Sequence, residues 1–108
     1  MMRPVRDERV VIHIDIDRDR LRHIVGAAYD FVSEYLYVPL NNSREDIMAK
    51  LEAVLSSDRV STNFFLDFSN PRMDDFMLRV DPRRREVLGI ATRSVKLKNN
   101  INAFLRTL

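Results

Sequence analysis

Val10-Val11-Ile12-His13-Ile14-Asp15-Ile16-Asp17 alternates more sharply than any other stretch of the chain. In an extended strand Ile12, Ile14 and Ile16 fall on one side, and Val11, His13, Asp15 and Asp17 fall on the other. The apolar side demands a core, and the polar side gathers groups capable of chemistry. A strand over about Arg9 to Asp17 is therefore the first expectation, preceded by a loose arm over residues 1–8, where Pro4 blocks regular helix.

The segments that follow can supply that core. Leu21, Ile24, Val25, Ala28, Phe31, Val32, Tyr35 and Leu36 recur at steps of three, four and one, which predicts an amphipathic helix from Arg18 to about Tyr37. Asp17 or Asp19 is its N-cap, and Pro39 ends it. Gly26 sits off the apolar stripe and allows a close approach by another element. Ser43 followed by Asp46 resembles a capping box for a second helix running to about Leu55. Residues 60–68 alternate as a strand rich in β-branched and aromatic side chains. Phe76 to Val80 and Val87 to Arg93 read as a hairpin across Asp81-Pro82-Arg83-Arg84-Arg85-Glu86. Ser94 caps a last helix whose apolar face is Leu97, Ile101, Phe104 and Leu105. Lys96, Lys98, Asn99, Asn100, Asn102 and Arg106 are left for its polar side.

The order is β-α-α-β-β-β-α. It predicts an α+β fold, a two-layer sandwich of a four-stranded, mainly antiparallel sheet with three helices, in one domain over residues 9–108. The 108 residues suffice for a core without staples. No apolar run of signal-peptide or membrane-spanning type is found, so the expected compartment is the cytoplasm, with no membrane partner.

Composition narrows the chemistry. There is no Cys, which excludes disulfides, a catalytic thiol and thiolate metal sites. Two Gly exclude both dinucleotide-binding and Walker-type phosphate loops. No Ser stands in a nucleophile-elbow context, and no cofactor is expected. Charge is unevenly spread. Residues 1–78 carry a net −4 and residues 79–108 a net +6. That asymmetry suits a nucleic-acid surface, and equally an acidic region of one subunit meeting a basic region of another.

Three function classes remain. The first, and the reading favoured here, is a small non-enzymatic binding or adaptor protein. It acts through a protein–protein surface, with itself as the expected partner in a homodimer. Its candidate contacts are Tyr37, Phe65, Arg83, Arg84 and Arg85, because aromatic residues and Arg concentrate at interfaces. The second is a nucleic-acid-binding accessory protein using the C-terminal basic set Arg79, Arg83, Arg84, Arg85, Arg93, Lys96 and Lys98. No aromatic interrupts that set between Phe76 and Phe104, so base stacking is unsupported. The third is a metal-dependent hydrolase or nuclease. Its ligands would be His13, Asp15 and Asp17, which share a strand face at two-residue spacing. Steps of about 6.6–6.8 Å let two such ligands share a metal, but three along a straight strand converge poorly. Asp74 and Asp75, with Asp67, form a second carboxylate group, though one following a turn.

The run His13-Ile14-Asp15-Ile16-Asp17 is similar to the strand that opens the palm of Y-family DNA polymerases, where an Asp binds catalytic metal. The similarity stops at Asp17. Arg18-Asp19-Arg20 stands where the family has a small residue and an aromatic pair.

Overall fold

A computed structural model describes residues 12–36, 39–56, 64–71, 76–81 and 83–108. Three helices and three strands follow in the order α1 (Arg18–Leu36), α2 (Arg44–Leu55), β1 (Phe64–Asp67), β2 (Phe76–Asp81), β3 (Glu86–Thr92) and α3 (Val95–Arg106). The class is α+β, with an antiparallel meander β1-β2-β3.

The helices start where their caps require. Asp17 is the N-cap of α1: its carbonyl accepts from Leu21 N at 2.9 Å and its carboxylate from Arg20 N at 2.7 Å. Ser43 Oγ accepts from Asp46 N at 3.1 Å to open α2, and Ser94 Oγ accepts from Leu97 N at 3.3 Å to open α3. Each helix turns one apolar stripe inward. Leu21, Ile24, Val25, Ala28 and Val32 of α1, Ile47, Leu51 and Leu55 of α2, and Leu97, Ile101 and Leu105 of α3 share a single core. Leu66, Phe68, Phe76, Leu78, Val80, Val87 and Ile90 complete it from one face of the sheet. Each such side chain contributes about 1.5–3 kcal/mol by leaving water, and that drives the assembly. Phe31 stacks on Phe104, their centroids 4.2 Å apart, and closes the seam between α1 and α3.

Several ties orient the helices. Arg22 of α1 forks onto Glu52 of α2, which holds the Glu52 carboxyl below its usual range. The Arg44 guanidinium reaches back to Asp30, with Nε 2.9 Å from Oδ1. It lies against Gly26, where a Cβ would come within 2.6 Å of it, so the glycine does admit a close approach. Tyr29 donates to the Asn42 carbonyl at 2.8 Å and meets Phe68 edge-on; burial raises its pKa. The Asn41-Asn42 loop then covers the end of β1: Asn41 N donates to the Ser69 carbonyl at 2.6 Å and Asn42 Nδ2 to that of Asp67 at 3.1 Å.

The expected fourth strand is the main departure. Among the described residues the sheet has three strands, and residues 12–17 form no strand of it but an isolated bridge between His13 and Val87. His13 N donates to Val87 O at 3.1 Å, Val87 N to His13 O at 2.9 Å, and Ile16 N to Arg85 O at 3.2 Å. The alternation fails at Asp15, whose φ of 52° is left-handed and breaks the pleat. Ile14 is consequently 59% exposed, instead of sharing a buried side with Ile12 and Ile16. The segment is a strap along β3. The arm over residues 1–8, the start of the expected first strand and the part of the second over residues 60–63 lie outside the described residues.

β3 carries a bulge. Arg79 pairs with Gly89 and Val80 with Val87, which leaves Leu88 without a partner. Gly89 takes φ 109°, a conformation that residues with a Cβ rarely adopt. The extra residue reverses the inward and outward sense of the backbone. Ile90 N therefore points away from β2 and donates to the buried Asn102 Oδ1 of α3 at 3.1 Å. α3 is thus fixed to the outer side of β3.

Candidate interaction surface

Residues directly opposite in an antiparallel pair project to the same side. Phe65 lies opposite Arg79, and Asp67 opposite Met77, which in turn pairs with Ala91. These five side chains lie on the second face of the sheet, turned away from the helices, and none of them is fully buried. Phe65 is 49% exposed, and the Arg79 guanidinium lies over its ring at 5.7 Å from the centroid. Such a pair gives about 0.5–1 kcal/mol at an exposed site and restrains both groups. The Asp67 carboxylate is engaged locally, accepting from Ser69 N at 2.8 Å.

The turn between β2 and β3 carries Arg83, Arg84 and Arg85, all exposed. It is held from beneath. The buried Asp81 carboxylate accepts from Arg83 N and Arg84 N, each at 3.1 Å, so three arginines occupy a tight turn without glycine. Arg85 adopts φ 56°, and its Nη2 lies 3.1 Å from Asp15 Oδ1. Among the described residues, the two non-glycine residues with positive φ are therefore an ion pair, each at the point where its segment bends.

The basic set does not form one patch. Arg93, Lys96 and Lys98 follow the far end of β3, and a strand of seven residues separates them from Arg83, Arg84 and Arg85. At about 3.3 Å per residue that is roughly 20 Å. Arg79 stands apart from both groups, on the second face beside Phe65. Tyr37, Asp74 and Asp75 lie outside the described residues.

His13, Asp15 and Asp17 are not brought together. His13 Nε2–H donates to the Leu105 carbonyl at 2.8 Å, near the end of α3. Asp15 faces Arg85, and Asp17 caps α1. Among the described residues no group of three or more His, Cys, Asp or Glu side chains is placed to hold a metal ion. No described helix is long and apolar enough to cross a membrane.

Two residues carry more than their sequence positions suggest. Arg79 pairs with Phe65 across strands, a relation that requires the register of the meander. Asn102 serves β3 from within the core, although helical periodicity places it among polar neighbours. No family model, no curated protein and no solved structure matches this chain.

Proposed function

We propose that this protein is a small non-enzymatic binding protein that acts through a protein–protein surface and associates with itself as a homodimer. The observation that carries the reading is Phe65: a large aromatic residue, half exposed, with the Arg79 guanidinium over its ring, on the sheet face turned away from the helices. An aromatic residue fixed by its neighbours loses little freedom on binding, and Arg with an aromatic ring is the usual make-up of an interface centre.

Size sets the extent of the contact. Three strands about 4.8 Å apart and roughly 17 Å long offer a few hundred Å², while a stable interface buries about 800 Å² per partner. The surface therefore reaches past the sheet to Arg83, Arg84 and Arg85, and Tyr37 belongs to the same proposed set. The acidic balance of residues 1–78 against the basic balance of residues 79–108 favours a second copy as the partner.

Light scattering on a size-exclusion column tests the reading, with the full chain compared with Phe65→Ser and Arg79→Ala. Truncating a central aromatic anchor costs about 2 kcal/mol or more, which weakens the dimer roughly thirtyfold. A dimer that dissociates in Phe65→Ser supports the proposal. A monomer at every concentration up to about 100 μM (an association free energy weaker than about −5.5 kcal/mol) removes self-association from it.

A further inference from the structure

A second surface lies on the outer face of α3, away from the shared core. Lys96, Asn99, Asn100, Ala103, Arg106 and Thr107 recur at helical spacing and are all exposed, and α3 contains no acidic residue. Lys96 stands in the first turn, against the helix dipole, where an acidic side chain is the stabilising choice. Lys96 and Arg106 are ten residues apart on one face, about 15 Å along the axis.

The topology adds further basic residues at one end of this stripe. His13 joins the Leu105 carbonyl to Val87, and Ile16 joins Arg85. The C-terminal end of α3 therefore lies beside the start of β3, and Arg106 shares that end of the molecule with the turn of Arg83, Arg84 and Arg85. Arg93 precedes the other end of the helix. A polar helix without acidic residues is thus bracketed by arginines.

We propose that the outer face of α3, together with the β2–β3 turn, binds double-stranded DNA. The major groove of B-form DNA is about 12 Å wide and admits a helix of 10–12 Å diameter. Lys96, Arg106, Arg83 and Arg84 reach phosphates, and the small side chains of Asn99 and Ala103 allow the helix to approach the groove floor. The deep, narrow major groove of A-form RNA does not accept it. Asp15 moderates the site, because its carboxylate partly neutralises Arg85.

Fluorescence anisotropy of a labelled, mixed-sequence duplex of about 20 base pairs tests this with the full chain. With about four phosphate contacts, affinity falls roughly a hundredfold between about 50 and 200 mM salt. The double variant Lys96→Gln, Arg106→Gln weakens binding at least about tenfold and lowers the salt slope by about two. Asp15→Asn keeps a residue that tolerates positive φ, releases Arg85, and tightens binding. Circular dichroism confirms the fold of each variant. No binding at low salt, equal binding by the double variant, or equal binding of double-stranded RNA or polyglutamate overturns the proposal. The Lys96 and Arg106 outcomes do not bear on the dimer contact at Phe65, which lies on the second face of the sheet; only the β2–β3 turn is common to the two proposed surfaces.

Discussion

Asn102→Ala isolates the joint that places α3. The Asn102 side chain is buried, and its Oδ1 accepts from Ile90 N at 3.1 Å. The bulge at Leu88 turns that N–H away from β2, so removing the amide leaves a buried donor unpaired. An unsatisfied buried backbone group costs about 1–3 kcal/mol. Taking about 2 kcal/mol, and an unfolding entropy of about 2.1 cal/mol/K per residue over the chain, the melting temperature falls by roughly 9 °C. With a urea dependence of about 1.5 kcal/mol/M, the midpoint falls by roughly 1.3 M. Urea unfolding followed by circular dichroism reads the loss, and hydrogen exchange at the Ile90 amide locates it. Asn102→Leu separates hydrogen bonding from packing: it fills the space, leaves Ile90 N–H unpaired, and remains destabilised. A Leu variant as stable as the parent, or an Ile90 amide equally protected in the Ala variant, refutes the reasoning.

Other perturbations test other joints. His13→Ala removes the donor to the Leu105 carbonyl and lowers stability by about 1 kcal/mol in urea unfolding, with faster amide exchange at the end of α3. Gly26→Ala gains about 1 kcal/mol of helix propensity but displaces the Arg44 guanidinium, so the net change stays within about 0.5 kcal/mol while the Asp30–Arg44 pair is lost, as its NMR shifts report. Arg22 depresses the pKa of Glu52, so that pair stabilises the fold above the ordinary carboxylate pKa, and its contribution disappears as pH falls through the lowered value. Both groups are partly exposed and screened by water, so Arg22→Gln lowers stability only slightly at pH 7, and its unfolding midpoint converges on the parent's in acid.

How much of this was legible in the sequence depends on the range over which each feature is decided. The three helices were legible because cap and periodicity are local: Ser43 and Ser94 open α2 and α3 as their spacing implies, and α1 begins behind Asp17. The meander was legible in the alternation of Phe76 to Val80 and in the polar link before Val87. The first segment misled because its alternation is as regular as any strand's. Its fate is decided at Asp15 by a left-handed bend and by Arg85, far away in the chain. Asn102 was assigned to the polar side of α3 for a similar reason. Its burial answers a backbone donor that exists only because Gly89 permits a bulge. At the candidate surface, Phe65 was visible as an aromatic residue on the polar side of a strand, but its partnership with Arg79 needed the register. The basic residues were visible by count, whereas their division between the two ends of β3 is a property of the hairpin.

The most direct test of the proposed contact is the concentration dependence of the NMR spectrum of the full chain. Resonances of Phe65, Met77, Arg79 and Ala91 are expected to shift together as concentration rises, while those of Lys96, Asn99 and Ala103 on α3 stay in place. Shifts confined to α3, or none at all, would contradict the assignment of the sheet face turned away from the helices as the surface through which this protein binds.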